Sequence, residues 1–144
     1  MSNKPRPVQI LLVEDNPGDV RLTEEALREA HIAMHMHAVP DGLAALEKLR
    51  ATPDTPDTRL PDIILLDLNL PRMSGLEFLQ TLKSDPHLQH LPVIILTTSD
   101  AQADITACYR LGANAYVTKP VDLDHFIRVV QTFEEFWFFI AKLP

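Results

Sequence analysis

Short apolar runs alternate along the chain with segments in which apolar residues recur every three or four positions. The runs predict buried β-strands over residues 8–13, 33–39, 62–67, 93–96 and 114–118. The periodic segments predict helices over 17–30, 43–49, 74–85 and 101–111, and a last helix from 122 or 124 to about 143. Nearly continuous apolar strands that are joined by helices imply a parallel sheet covered on both faces.

This alternation predicts an α/β fold, a flavodoxin-like doubly wound domain of five parallel strands in the order 2-1-3-4-5 with five helices. Local signals agree with the helix starts, since Pro17 occupies a first helical position and Asp41 is a good N-cap residue. We expect residues 1–7 to form a disordered N-terminal segment. Residues 8–144 are expected to form a single domain, whose last helix is extended and aromatic.

The chain carries a net charge of −7, which argues against nucleic acid as a partner, because nucleic acids are bound through clustered Lys and Arg. Cys108 is the only cysteine, so no intrachain disulfide can form, which suits a reducing cytoplasm. The N-terminus lacks the apolar core of a signal peptide, and no run approaches the roughly eighteen apolar residues that span a bilayer. We therefore expect a cytoplasmic protein without nucleic-acid or membrane partners.

Polar side chains collect at the ends of the predicted strands, where doubly wound sheets bind their ligands. They are Glu14 and Asp15 after the first strand, Asp67 at the third, Thr97 at the fourth and Lys119 at the fifth. Carboxylates crowded into one crevice repel each other, and a small oxygen-binding cation such as Mg²⁺ removes this conflict. With an ammonium and a hydroxyl beside it, Asp67 is a candidate acceptor for in-line phosphoryl transfer.

Five short motifs resemble the receiver domains of two-component response regulators. They are Val13-Glu14-Asp15, Leu66-Asp67-Leu68-Asn69-Leu70-Pro71, Met73-Ser74-Gly75, Leu96-Thr97-Thr98 and Tyr116-Val117-Thr118-Lys119-Pro120. Each motif alone is weakly specific, but their order and their places at the strand ends make the combination specific. The resemblance covers roughly residues 8–133 and therefore nearly the whole chain.

The resemblance implies a role for each residue of the crevice. Asp67 is the phosphoacceptor, and Glu14, Asp15 and the backbone carbonyl of Asn69 hold Mg²⁺, or alternatively Mn²⁺. Thr97 is the switch hydroxyl, Tyr116 is the coupled aromatic side chain, Lys119 contacts the phosphoryl oxygens, and the peptide bond before Pro120 is cis. Many receivers have Asp where this chain has Glu14, whose longer side chain is expected to reach the metal through water. The family is not enzymatic, apart from assisting its own phosphorylation and slow dephosphorylation.

A narrower resemblance links the chain to the small response regulators that partner bacterial phytochromes. It rests on the segment 14–20, on Phe136-Trp137 and on the ending Leu143-Pro144. It implies phosphorylation by the histidine kinase region of a red-light photoreceptor. No effector domain follows the last predicted helix, so the expected output is a change in protein contacts or a phosphorelay.

The last predicted helix is apolar on nearly all sides, which is typical of a helix buried on more than one face. Phe136, Phe138 and Phe139 point away from the stripe that core packing explains, so we predict a homodimer through this segment.

Besides an interaction module that works without phosphorylation, this fold is compatible with two other functions. An aspartyl-phosphate hydrolase of the haloacid-dehalogenase kind needs a second carboxylate two residues after the nucleophile, where this chain has Asn69. A nucleotide- or flavin-binding module needs a Gly-rich loop after the first strand, where this chain has the acidic Glu14-Asp15-Asn16. A metal site at His35 and His37 is disfavoured, because edge-strand histidines are usually solvated.

Overall fold

The computed structural model describes residues 7–29, 33–53 and 59–119, together with 124, 125 and 128. The strands in this part are β1 (Val8–Val13), β2 (Met34–Val39), β3 (Ile63–Leu66), β4 (Val93–Thr97) and β5 (Ala115–Thr118). The helices are α1 (Pro17–Glu29), α2 (Gly42–Ala51), α3 (Gly75–Ser84) and α4 (Gln102–Arg110). None of the described helices is long and apolar enough to cross a membrane.

The predictions for the two ends of the chain concern mostly residues outside the described ranges. Residues 124, 125 and 128 are helical, as expected for the start of the last helix. The rest of that helix, including Phe136, Phe138 and Phe139, lies outside the described residues, as do Pro120 and residues 1–6 of the predicted N-terminal segment.

The five strands form one parallel sheet in the order β2-β1-β3-β4-β5, which confirms the predicted topology. The register brings the carboxyl ends of the central strands level, since Val13 pairs with Leu66 and Leu66 pairs with Ile95. Residues that follow these strand ends must therefore lie side by side above one edge of the sheet.

Side chains on both faces of the central strands are buried, which explains why the strand sequences are continuously apolar. One face packs under α1, where Leu12 and Leu65 meet Leu27. The other face packs under α2 and α3, where Leu66 lies in one cluster with Phe78. The edge strand β2 is only partly buried, and its first four residues alternate between half-buried and exposed, as in a strand with one solvated face.

The loop after β3 is fixed by Gly75, the first residue of α3. A Cβ atom at this position would lie 2.4 Å from the carbonyl oxygen of Asp67 and 2.6 Å from the Cα atom of Leu68. The Gly75 N–H also donates to the Leu68 carbonyl at 3.0 Å. Only glycine permits this approach, so the start of α3 determines where the chain leaves β3.

Candidate functional site

Four of the predicted site residues lie at the carboxyl ends of four neighbouring strands. Glu14 follows β1, Asp67 follows β3, Thr97 ends β4 and Lys119 lies just beyond β5. Backbone hydrogen bonds continue past the strands and fix these positions, since Asp67 N–H donates to Val13 at 3.1 Å and Lys119 N–H donates to Thr97 at 2.7 Å. Glu14, Asp67 and Thr97 are buried, with 4%, 8% and 0% of their surface exposed.

The Lys119 ammonium joins the carboxylates of this crevice. Its Nζ atom contacts Glu14 Oε1 at 2.6 Å, Asp19 Oδ2 at 3.0 Å and Asp67 Oδ2 at 3.4 Å. An ammonium group has three protons, so each contact can receive one of them. Lys119 is therefore shared among three acids from different parts of the chain, and its shortest contact is with Glu14.

The acidic residues of the crevice fit a divalent cation. One carboxylate oxygen each from Glu14, Asp15 and Asp67 lie within 4.8 Å of one another. Glu14 Oε2 is buried and has no hydrogen-bond partner in the described part of the chain. A buried oxygen without a donor is unfavourable, and hard oxygen ligands of this kind suit Mg²⁺ or Mn²⁺. The chemistry of the donor set thus matches the predicted metal.

Two of these carboxyl groups differ in protonation. Burial, together with the neighbouring charge of Asp67, raises the pKa of Glu14 to about 8 despite the contact with Lys119. Burial also acts to raise the pKa of Asp67, but the neighbouring Glu14, the hydrogen bond from the Asn69 N–H and the charge of Lys119 outweigh it and leave the pKa below its ordinary value. Asp67 is therefore ionised at neutral pH, the form in which a carboxylate can act as a nucleophile.

Asn69 lies in the loop after Asp67 and is exposed. Its backbone N–H donates to Asp67 Oδ1 at 3.2 Å. This contact fixes one oxygen of Asp67 while the other faces Lys119, so the two oxygens of the carboxylate have different surroundings.

Thr97 and Tyr116 are joined through the loop after β4. Ser99 N–H faces Thr97 Oγ1 at 3.5 Å, and the Tyr116 hydroxyl donates to the Ser99 carbonyl at 2.7 Å. The Ser99 hydroxyl in turn donates to Asp104 Oδ2 of α4 at 2.6 Å. A movement of Thr97 can therefore reach Tyr116 and α4 through one residue, Ser99.

The sequence assigns no site role to two residues that the structure places at or beside the site, namely Asp19 and Asp104. Ser99 was expected from the resemblance, which makes the position two residues after Thr97 one that tunes the lifetime of the phosphorylated state. Asp19 could have been considered from its position, because it lies in the first turn of α1, the helix that directly follows Glu14 and Asp15. Asp104 carries no comparable signal, because its contact with Ser99 depends on the conformation of the loop. His35 and His37 are exposed on β2, and the metal-ligand group found among the described residues does not include them.

Comparisons with known proteins agree with this geometry. The family model of the response regulator receiver domain matches residues 10–131. Response regulator Rcp1 of Synechocystis sp. is 40% identical over 145 aligned residues, which cover 100% of this chain and 99% of Rcp1. The Mn²⁺-bound crystal structure of Rcp1 covers 96% of this chain and 99% of its own, with a TM-score of 0.75.

Two further solved structures have the same fold. The phosphorylated cyanobacterial phytochrome response regulator RcpA is 42% identical, with a TM-score of 0.77 and coverage of 96% of this chain and 99% of RcpA. The receiver domain of the sensor histidine kinase PA1611 from Pseudomonas aeruginosa PAO1, which has magnesium in its active-site cleft, is 28% identical, with a TM-score of 0.73 and coverage of 89% and 98%. From its motifs, its strand order and these matches, the chain belongs to the response regulator receiver domain family.

Proposed function

We propose that this receiver accepts a phosphoryl group from a sensor histidine kinase on Asp67 and thereby changes its contacts with other proteins. The observation that carries the proposal is the convergence of one ammonium and two further carboxylates on a single ionised aspartate, with a buried oxygen of Glu14 left without a donor. Such a crevice neutralises the charge of a phosphoryl group at one fixed oxygen nucleophile.

In this reaction an Asp67 carboxylate oxygen attacks phosphorus while the bond from phosphorus to the kinase histidine nitrogen breaks. Glu14, Asp15 and the backbone carbonyl of Asn69 would hold Mg²⁺ or Mn²⁺, which supplies positive charge beside the phosphoryl oxygens when bound. The metals in the Rcp1 and PA1611 structures support this assignment. Lys119 contributes its ammonium beside Asp67 Oδ2. This receiver slowly loses the phosphoryl group again by hydrolysis.

Thr97 and Tyr116 convert phosphorylation into a changed surface. The Thr97 hydroxyl donates to a phosphoryl oxygen. Its movement alters the loop at Ser99, whose backbone carbonyl accepts the hydrogen bond from the Tyr116 hydroxyl. Tyr116 then moves between an outward and an inward position.

We further propose a phytochrome-type kinase as the donor, because the relatives RcpA and Rcp1 match nearly the whole chain and RcpA is a phytochrome response regulator. The proposal also includes a cytoplasmic location and one domain over residues 8–144. It further includes a cis peptide bond before Pro120 and a homodimer through Phe136, Phe138 and Phe139. Phosphotransfer from a phytochrome kinase should exceed that from an unrelated kinase. The mass in analytical ultracentrifugation should fall to that of a monomer when the chain is truncated before Phe136.

The central proposal is tested by incubating the protein with acetyl phosphate and Mg²⁺ and measuring its intact mass. We expect one phosphoryl group on the wild type, none on the Asp67→Asn variant and none when the metal is chelated. Asp41→Asn is the matched control, because Asp41 is another buried carboxylate at the same edge of the sheet but is bound by Arg72 instead of Lys119. Equal labelling of the Asp67→Asn variant would overturn the assignment, and no labelling of the wild type would favour a phosphorylation-independent module.

A further inference from the structure

Lys119 is nearer to α1 than to the proposed acceptor. Its Nζ atom lies 2.6 Å from Glu14 and 3.0 Å from Asp19, but 3.4 Å from Asp67. Its side chain is 10% exposed, so water offers it few alternative partners. The ammonium is therefore drawn away from Asp67 by two acids, of which only Glu14 has an assigned role.

Asp19 is directed to Lys119 and not to the end of its own helix. An acid in the first turn of a helix usually interacts with the free backbone N–H groups there. In α1, the side chain of Asn16 already accepts from Gly18 and Asp19, at 2.9 and 3.2 Å. The Asp19 carboxylate instead meets a residue that is 100 positions further along the chain.

Asp19 also stands apart from the candidate cation site. The metal-ligand group found among the described residues contains Glu14, Asp15 and Asp67 but not Asp19. Of the three acids that contact Lys119, Glu14 would bind the cation and Asp67 would carry the phosphoryl group. Asp19 is the one that has no other proposed role. The Asp19 carboxylate has the Lys119 ammonium at 3.0 Å as its charge partner.

From this geometry we infer that Asp19 is a positioning residue that restrains Lys119 and competes with the phosphoryl group for its ammonium. The inference rests on the proposed phosphorylation of Asp67 and adds a regulation of that site. Removing the Asp19 charge frees Lys119 for the phosphoryl oxygens, so the phosphorylated form is favoured. The effect acts through Lys119 alone and disappears when the ammonium is absent.

The test is calorimetric titration of the full chain with beryllofluoride in the presence of Mg²⁺, as a mimic of the phosphoryl group that needs no reaction. We expect Asp19→Asn to bind it about two- to fivefold more tightly than the wild type, the upper part of the range for a partly exposed ion pair. In the Lys119→Met background the same substitution should change the affinity less than about twofold. Asp19→Glu, which keeps the charge, should stay near the wild type.

A matched control separates this effect from a general loss of negative charge. Glu24→Gln removes one acid from the same helix, at an exposed ion pair with Arg28, and should leave beryllofluoride affinity unchanged. The inference fails if Asp19→Asn binds no more tightly, or if its effect persists in the Lys119→Met background. It also fails if Asp19→Asn weakens Mg²⁺ binding tenfold or more, since Asp19 would then be a metal ligand. If the wild type itself binds no beryllofluoride, the proposed function fails instead.

Discussion

Two buried carboxylates follow neighbouring strands at the same edge of the sheet, yet their surroundings differ. Asp41, after β2, is 3% exposed, and Glu14, after β1, is 4% exposed. Asp41 Oδ1 accepts the Ala44 N–H at 2.8 Å, and Oδ2 accepts from Arg72 Nε at 2.9 Å and from its Nη2. Glu14 has Lys119 on one oxygen and no donor from the described residues on the other.

This difference shows that Asp41 stabilises the fold, whereas Glu14 is arranged for a binding site. The Ala44 N–H, together with Arg72, holds the pKa of Asp41 below its ordinary value, whereas burial raises the pKa of Glu14 to about 8. A buried acid whose acceptors are all filled contributes to stability in its charged form. A buried acid with a free oxygen beside other carboxylates is unfavourable when charged, unless a cation joins it.

The largest expected effect is from Asp41→Ala. The variant loses the N-cap of α2 and leaves the Arg72 guanidinium without its carboxylate, so we expect a loss of about 2–3 kcal/mol in the free energy of unfolding. Denaturation in urea measures this loss. A loss below about 0.5 kcal/mol would mean that Asp41 contributes no more to stability than an ordinary surface residue.

The next largest effect is a gain in stability, expected from Glu14→Gln in the metal-free protein. Between pH 4.5 and about 8 the folded protein keeps the Glu14 proton while the unfolded chain loses it, so wild-type stability falls as the pH rises through this window. The variant lacks this group, and it should gain at least about 1 kcal/mol over the wild type between pH 5 and pH 8.5.

Thermal unfolding at the two pH values, with and without Mg²⁺, tests this expectation. Mg²⁺ should stabilise the wild type more at pH 8.5 than at pH 5, because binding needs the ionised carboxylate of Glu14. A difference between the two proteins that does not change with pH would remove the contrast with Asp41.

The sequence alone predicted much of the crevice that contains Glu14 and little of the surroundings of Asp41. The strand order and the position of Glu14, Asp67, Thr97 and Lys119 followed from the apolar runs, because parallel strands place their carboxyl ends at one edge. Asp41 was predicted as an N-cap and this is confirmed. Its pairing with Arg72 was not predicted, because it depends on a positive φ of 66° at Arg72, which the residue type does not signal.

The strand boundaries illustrate the same limit. The third strand was predicted to include both Asp62 and Asp67, but β3 contains only Ile63–Leu66. Asp62 instead accepts the Gln9 N–H with its side chain at 2.8 Å, and Asp67 begins the loop that Gly75 constrains. Apolar periodicity finds the strand, whereas side-chain hydrogen bonds and close backbone contacts decide where it ends.

A smaller effect is expected from Asp41→Asn, which divides the Asp41 contribution into its parts. Asparagine is as good an N-cap as aspartate, so the Ala44 contact should persist while the charge attraction to Arg72 is lost. Because the Arg72 side chain is 61% exposed, we expect a loss of only about 0.5–1 kcal/mol in the free energy of unfolding. A loss as large as that of Asp41→Ala would place the whole contribution in the charge.

The smallest expected effect compares Arg72→Ala with Arg72→Gly. Both variants lose the exposed ion pair with Asp41, which stabilises by about 0.5 kcal/mol. Glycine adopts a positive φ without the steric cost that alanine bears, so at a φ of 66° its variant should regain about 0.5–1 kcal/mol and unfold close to the wild type. Urea denaturation of the three proteins at one pH measures the order. If Arg72→Gly is less stable than Arg72→Ala, the loop after β3 is held by the Asp41 contact and the backbone at Arg72 is not the limiting feature.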